Sequence, residues 1–272
     1  MAREKHLNAA TRNEESRKRR KLRNILLLIL IFLMVAAVVA EALLLKNMTS
    51  VDRRFIREVE RGVIEGWSGG HGDLQLKEKG IITDPSFIYA ELEAVSEFAN
   101  KTYQDKSLKK LAKRYITDLR ECKSAAAAHD PVTDSDAFWK EFGSSYTDRL
   151  IILRTLYTGD FKMGNGWDKY PDQRDEVLLK GWLAKTASSL RFEKTTDEKE
   201  ENRYIAVLNN DSGFDIEYLI IDIKLYNKKG QFIGVAEVYK ENIKNGSHEE
   251  LLFFYKGKEI GSYTVIGADC GT

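Results

Sequence analysis

One serine–lysine pair in this sequence has a spacing that could support nucleophilic chemistry. Ser107 and Lys110 form a Ser-x-x-Lys motif, in which a lysine can stand beside a serine that attacks an acyl carbonyl. The enzymes that use this motif also carry a Lys-Thr-Gly segment, which this sequence lacks, and are longer than this chain. Ser107 also stands at the start of a predicted helix, where a hydroxyl group caps the first turn. We therefore interpret Ser107 as an N-cap.

The histidines and cysteines are too scattered to predict a metal centre. The four histidines are His6, His71, His129 and His248. No two of them have the i, i+4 spacing with which a helix holds zinc. Cys122 and Cys270 are far apart, fit no metal spacing, and have no evident reason to meet in a disulfide bond. We predict no catalytic residue, no metal site and no cofactor.

Basic residues are concentrated at the amino terminus. Residues 1–24 contain nine Lys and Arg against three Asp and Glu, whereas the rest of the chain contains 34 against 39. The run Arg17–Arg23 could bind nucleic acid or anionic lipid headgroups. Because an apolar segment follows it directly, we favour the headgroups and expect no nucleic-acid partner.

That apolar segment predicts a transmembrane helix over residues 25–45. Ile25–Ala40 contains no charge, and Glu41 alone interrupts the run. About twenty such residues cross roughly 30 Å of hydrocarbon as a helix. A cleavable signal peptide, with small residues near Ala40, is the alternative, but its basic and apolar regions would be unusually long. The excess of basic residues before the span places the N-terminus in the cytoplasm and residues 46–272 outside.

A charged helix with one apolar stripe is predicted directly after the span. The stripe repeats at four-residue steps through Val51, Phe55, Val59 and Val63. Such a stripe either docks on the following domain or pairs with a second copy of the chain. Glycines are expected to end this helix and form a hinge, at Gly66, Gly69, Gly70 and Gly72.

The central part of the chain has helical periodicity in four segments. The first is predicted to begin with Asp84 as N-cap and Pro85 at the first helical position. The others are predicted to begin near Ser107, Thr133 and Pro171. Their short connections are typical of antiparallel neighbours in a small bundle.

From about residue 188 the apolar residues alternate with a period of two. Four of them are predicted to face one core from a single strand, namely Leu219, Ile221, Ile223 and Leu225. Turns are predicted at Asn227–Gly230 and Asn245–Gly246. Six or seven short antiparallel strands at this spacing predict a β-sandwich.

Three stretches of this region resemble the FxLYD domain, a small Ig-like β-sandwich of secreted and membrane-anchored bacterial proteins. The segment IKLYNKKGQFIG stands where the family has its Phe-x-Leu-Tyr-Asp signature and glycine turn, and it matches directly at Leu225, Tyr226 and Gly230. Ile223 and Asn227 replace the signature's first and last residues. The segments YIAVLNNDS and NIKNGS are similar to the family's flanking motifs. The resemblance implies an Ig-like fold and no catalytic residues.

The helices that contain LAKRYITDL and FWKEFGSSYTDRL are similar to the helical part that accompanies such domains in Gram-positive envelope proteins. The expected fold class is thus α+β, with an N-terminal transmembrane helix, a small extracytoplasmic helical bundle and a C-terminal antiparallel Ig-like β-sandwich. The expected division is a basic cytoplasmic tail in 1–24, a transmembrane helix in 25–45, a juxtamembrane helix and glycine-rich hinge in 46–83, the bundle in 84–187 and the sandwich in 188–272.

These expectations predict a single-pass cell-membrane protein whose outer part binds or scaffolds something at the bacterial cell envelope. Its expected partners are the lipid bilayer, anionic headgroups at Arg17–Arg23, an envelope protein or polymer, and a second copy of the chain through the juxtamembrane helix. The alternative is a cell-envelope hydrolase with its site between the helical bundle and the β-sandwich.

Overall fold

The computed structural model describes residues 50–68, 76–77, 81–82, 85–131, 133–161, 163, 166–195, 203–257 and 259–272. The basic tail and the transmembrane segment predicted from the sequence lie outside these ranges. Within them, no helix combines the length and apolarity that a membrane crossing requires. The description below concerns the compact unit Asp52–Thr272, together with the start of its first helix.

The fold is α+β, as predicted, and the helices precede the strands except for two short strands that lie between the first and second helices. The helices are α1 (Ser50–Ser68), α2 (Ser86–Val95), α3 (Lys106–Ala128), α4 (Ser135–Thr158) and α5 (Pro171–Ser189), with 3₁₀ turns at Ser96–Asn100 and Trp167–Lys169. The strands are β1 (Leu76–Lys77), β2 (Ile81–Ile82), β3 (Glu193–Lys194), β4 (Arg203–Asn209), β5 (Ile216–Tyr226), β6 (Phe232–Ile243), β7 (His248–Phe254) and β8 (Ser262–Gly271).

Helix α1 docks its apolar stripe inside the chain. Phe55, Val59 and Val63 are buried. The Phe55 ring meets the rings of Phe98 and Tyr103 edge-on, each with centroids 5.7 Å apart. Of the two arrangements predicted for this stripe, docking on the following domain is therefore the one observed. Pairing of two copies through the same face would require α1 to leave this position.

The prediction that Gly66 ends this helix is wrong, because α1 continues to Ser68. A Cβ atom at Gly66 would lie 3.0 Å from Phe87 Cβ, and one at Gly62 would lie 2.8 Å from Glu91 Cα. The two glycines therefore allow α1 and α2 to approach closely, and this packing offsets the ~1 kcal/mol by which glycine weakens a helix interior. The other glycines of the predicted hinge lie outside the described residues.

The start of α3 differs from the prediction by one residue and by its capping group. The carboxylate of Asp105 accepts hydrogen bonds from the backbone N–H groups of Ser107 (2.7 Å) and Leu108 (2.8 Å). Asp105 is thus the N-cap, and the interpretation of Ser107 as the cap is wrong. The buried Asp52 of α1 in turn accepts from the N–H groups of Gln104 and Asp105, which anchors this helix start to α1.

The other helix starts lie within two residues of their predicted positions. Helix α2 begins at Ser86, so that Pro85 occupies the cap position rather than the first helical position, and Asp84 lies outside the described residues. Helix α4 begins at Ser135, and the side chain of Asp134 makes no capping hydrogen bond. Helix α5 begins at Pro171, as predicted.

A buried ion pair joins α2 to α4. The Arg149 guanidinium donates through Nε to Glu91 Oε2 at 2.8 Å, and through Nη2 to the other oxygen of the same carboxylate. The Tyr115 hydroxyl of α3 donates to Glu91 at 2.5 Å. Arg149 also stacks over the Phe87 and Tyr146 rings. Three helices therefore meet at one carboxylate.

The two larger sheets are antiparallel and share one apolar core. Their strand orders are β3-β4-β7 and β6-β5-β8, and a separate two-stranded sheet pairs β1 with β2. The alternation predicted for β5 is confirmed, because its four inward apolar residues are fully buried. They lie in one cluster with residues of β4 and β7, and with Trp182 and Leu183 of α5.

The predicted turn between β5 and β6 is confirmed. Asn227 Oδ1 accepts from the backbone N–H groups of Lys229 (2.8 Å) and Gln231 (3.0 Å). Gly230 adopts a φ of 74°, which an L side chain rarely allows. Phe232 then begins the return strand, as predicted.

Candidate functional site

The structure does not join the serine–lysine motif through its side chains. The side chains of Ser107 and Lys110 are both exposed on the first turn of α3. Among the described residues, no hydrogen bond joins the two side chains. The backbone N–H of Ser107 donates to the Asp105 carboxylate.

Two of the four histidines, His129 and His248, lie within the described ranges, and each is at an end of a helix or strand. His129 follows the last turn of α3 and holds Nδ1 2.6 Å from Asp134 Oδ2, and this hydrogen bond raises the pKa of the imidazole. His248 begins β7 and is exposed. His6 and His71 lie outside the described residues. Across the described ranges, no three His, Cys, Asp or Glu side chains are arranged to hold a metal ion.

The two cysteines are free and separately buried. Cys122 packs inside the helical part and Cys270 inside the core of the sheets. Burial raises the pKa of each thiol to about 12. Both thiols are therefore protonated at neutral pH and poor nucleophiles.

One buried carboxyl group lies between α3 and α4. Asp118 is 6% exposed, and its Oδ2 atom has no hydrogen-bond partner among the described residues. Burial raises its pKa to about 7, repulsion from Asp148 and Glu121 adds to this, and Arg114 opposes it. Arg114 is itself committed to Asp148, to which its Nε donates at 3.0 Å.

The Asp118 carboxyl group predicts a pH-dependent stability. Between about pH 4 and pH 7 the folded chain holds a proton that the unfolded chain has released, so stability falls as the pH rises through this window. Asp118→Asn removes that loss, and we expect it to raise the free energy of unfolding by about 2 kcal/mol at pH 8 and by little at pH 4. Urea unfolding of both proteins at the two pH values measures this, and parallel pH profiles would contradict it.

A cleft of about 660 Å³ opens between α5 and β4. One wall is the carboxyl-terminal half of α5, from Trp182 to Ser189, and the opposite side is β4. The volume lies within the range of ordinary ligand sites.

The closed end of the cleft is held by interactions of two side chains. The Trp182 indole N–H donates to Asp211 Oδ1 at 2.5 Å. Arg154 of α4 donates to the carbonyl oxygens of Leu178 (2.9 Å) and Ser212 (3.3 Å). Burial of the Arg154 guanidinium lowers its pKa. These groups are committed to the fold and shape the cleft.

The open end of the cleft carries positive charge. Lys185 is exposed, and its ammonium group has no ion-pair or hydrogen-bond partner among the described residues. Arg191 donates to the carbonyl oxygen of Leu190 at 2.8 Å and partly caps the end of α5. Two carboxylates line the cleft. Asp211 accepts a hydrogen bond from Trp182, so Glu193 is the one that can offset the positive charge of Lys185 and Arg191.

An exposed apolar surface continues from the cleft over β4 and β7. Val207 is 62% exposed, Phe254 57% and Leu252 37%. Leu252 stands opposite Ile205 in the register, so the four apolar residues share the outer face of one sheet. Exposed apolar patches beside polar groups are typical of binding surfaces.

The sequence of β4 carries a signal for this surface. Along β4, Tyr204, Ala206 and Leu208 are buried, whereas Ile205 and Val207 take the outward positions. A half-buried strand normally has polar residues there. Apolar residues on both faces of this strand indicate that its outer face is covered by something.

No protein-family model, no curated protein and no solved structure matches this chain significantly. Among the described residues that line the cleft, no nucleophile is bonded to a general base. The Ser189 hydroxyl donates to the Thr186 carbonyl oxygen at 2.8 Å, and no histidine or cysteine lines the described walls. The arrangement can bind a ligand through an apolar floor, formed by Ile205 and Val207, and a cationic rim, formed by Lys185 and Arg191.

Proposed function

We propose that this chain is a single-pass, membrane-anchored binding or scaffolding protein of the bacterial cell envelope, and that it holds its partner in the cleft between α5 and β4. The cleft is the observation that carries the proposal. Ile205 and Val207 give the cleft an apolar surface, and the Lys185 ammonium group has no partner among the described residues, so both can contact a ligand, whereas the Ser189 hydroxyl is bonded within α5.

The membrane anchor in this proposal is supported by the sequence. The uncharged run Ile25–Ala40 follows the basic residues of 1–24, which is the pattern of an N-in single-pass protein. The extracytoplasmic, Ig-like assignment of the C-terminal part is supported by the FxLYD-like residues Leu225, Tyr226 and Gly230, and by two antiparallel sheets over a common core.

The hydrolase alternative is favoured by one observation, because the cleft lies where a helix of the bundle meets the sheet. Hydrolysis of an acyl or glycosidic bond needs a nucleophile or water held beside a general base or acid. The lining carboxylates are Glu193 and Asp211, and Asp211 is committed to Trp182. Binding is therefore the better-supported activity.

The proposed topology predicts the labelling of introduced cysteines. Lys256→Cys, on the exposed connection after β7, is expected to react with a membrane-impermeant maleimide in intact bacteria. The native thiols of Cys122 and Cys270 are buried and give little background. The control is Ala10→Cys in the basic tail, which should react only after permeabilisation. The reverse pattern, or labelling of neither position in intact cells, would overturn the anchored topology.

The proposed binding site predicts a position-dependent crosslink. A photoreactive amino acid at position 185, in the full chain in cells, is expected to give a crosslinked envelope product. The same group at position 229, in the exposed turn between β5 and β6, serves as the matched control and should not. Equal products from both positions, or none from 185, would contradict a ligand in the cleft.

A further inference from the structure

Strand β4 is paired on one side along its whole length and on the other side only at its beginning. The register with β7 runs from Arg203 to Asn209. The register with β3 contains only Tyr204 and Ile205. The edge of β4 beyond Ile205 is therefore unpaired by any described strand, and it lies in the cleft.

The direction of the backbone groups on this edge follows from the bonds at the end of β4. The N–H of Asn210 donates to Ser247 at 3.0 Å, and the carbonyl oxygen of Asn210 accepts from Gly246 at 2.7 Å. Both groups of Asn210 therefore point towards β7. Since these directions alternate along an antiparallel strand, both backbone groups of Val207 point away from β7 and towards the cleft.

The other end of β4 gives the same alternation. The N–H of Thr195 donates to the carbonyl oxygen of Arg203 at 2.9 Å, so Arg203 faces β3. Val207 lies four residues further on and has the same orientation. Within the described part of the chain, no side chain or turn donates to or accepts from its backbone groups.

Helix α5 is the wall opposite this edge. The cleft is therefore a groove between a helix and the unpaired edge of a strand. Such a groove is the geometry in which an extended peptide adds to a sheet through main-chain hydrogen bonds, with alternate side chains giving specificity. The outward side chain of Val207 would contact one face of such a peptide.

The charges of the groove select among peptides. Lys185 is exposed on the rim and Arg191 stands at the end of α5. Two carboxylates line the groove. Asp211 accepts the Trp182 indole N–H, and the Glu193 side chain has no partner among the described residues. The surplus of positive charge at the rim is complementary to a carboxylate on the peptide.

We propose that the cleft binds an extended, acidic peptide segment of a partner protein, which adds as a strand to the open edge of β4 at Val207 and places a carboxylate beside Lys185. This rests on the proposed binding role of the cleft, and it is independent of the membrane topology. The partner is identified by its chemistry, as alternating β-branched residues interrupted by Asp or Glu.

The test uses fluorescein-labelled octapeptides and the full chain in detergent micelles. The peptides alternate valine and threonine and carry no glutamate, two glutamates or two lysines. Fluorescence anisotropy is expected to show the tightest binding for the glutamate peptide. Methylation of alternate backbone nitrogens of that peptide should weaken binding about tenfold, because it removes the main-chain donors.

Matched variants test the edge itself. Val207→Pro removes an N–H that faces the cleft and no ladder bond to β7, and proline is tolerated at such an edge position. It is expected to weaken binding about tenfold, whereas Val207→Thr, which keeps the N–H and the branched shape, should change it less than about threefold. Lys185→Glu should reverse the preference from the glutamate peptide to the lysine peptide. Circular dichroism checks that each variant is folded.

The outcomes separate this inference from the proposed function. Binding that is insensitive to backbone methylation and to Val207→Pro would overturn strand addition, as would the absence of binding by every peptide. If Val207→Pro does not fold, the methylated peptide and Lys185→Glu decide the question. A crosslinked envelope product from position 185 without peptide binding would refute strand addition alone, and loss of both would refute the binding role as well.

Discussion

Replacing Arg149 with methionine is expected to lower the free energy of unfolding by about 3–5 kcal/mol, because it leaves a buried carboxylate without its counter-charge. Arg149 is fully buried, and Glu91 is 1% exposed. The guanidinium bonds both oxygens of the Glu91 carboxylate. Urea unfolding at pH 7, followed by circular dichroism, measures the loss.

The double variant Glu91→Leu with Arg149→Met separates the cost of the lone charge from the value of the pair. We expect it to recover most of the loss, because replacing both partners of a buried ion pair by apolar residues is often neutral. The control is the exposed pair Arg54–Glu97, with Nη2 and Oε1 2.8 Å apart, where Glu97→Gln should cost at most about 1 kcal/mol. A loss below 1 kcal/mol for Arg149→Met would contradict the buried pair.

Replacing Gly181 with alanine is expected to lower the free energy of unfolding by about 1–3 kcal/mol, because the added methyl group overpacks the contact between α5 and α4. A Cβ atom at Gly181 would lie 2.5 Å from the Leu150 carbonyl oxygen and 3.0 Å from Arg154 Cβ. The backbone oxygen cannot rotate away, so the helices must separate. The same shift would displace Arg154 from the closed end of the cleft.

Gly143 provides the matched control in α4. The nearest atom to a Cβ built there is Trp139 Cε3, at 3.6 Å, which is an ordinary contact. Gly143→Ala should therefore raise the free energy of unfolding by about 0.5–1 kcal/mol, through helix propensity alone. Thermal unfolding of the two variants beside the native protein compares them. Equal effects of both substitutions would show that α4 and α5 are not in contact at Gly181.

Local sequence patterns predicted the β-region well. The alternation from Leu219 to Leu225 and the turn at Asn227–Gly230 both depend on neighbouring residues, so a short window contains the necessary information. The start of α5 at Pro171 was predictable for the same reason, since proline favours the first turn of a helix.

Errors arose where a distant segment changed the meaning of a residue. Glycine often ends a helix, but at Gly66 the lack of a side chain instead lets Phe87 pack against α1. Asp105 displaces Ser107 as the cap of α3, at a point where the chain is also held by Asp52. Neither contact can be inferred from residues within one helical turn.

The residues of the candidate site were not predicted from the sequence, although a site between the bundle and the sheets was one of the expectations. It needs the end of α5, which contributes Lys185, to lie across from the edge of β4 at Val207. The sequence holds one trace of it, the apolar residues on both faces of β4. How much of the β4 edge is covered depends on the path of the chain from Leu190 into β3, which pairs only with Tyr204 and Ile205.

The sequence by itself determined the α+β order, the strand alternation, the turns, and the expectation of an apolar span in 25–45, because each is written in residues that are neighbours along the chain. The tertiary structure alone decided which polar groups are buried together and which edge remains open. Glu91 meets Arg149 across 58 residues of sequence. The opening beside Val207 likewise exists only because separate elements pack at a particular distance, and such distances are set by the whole core.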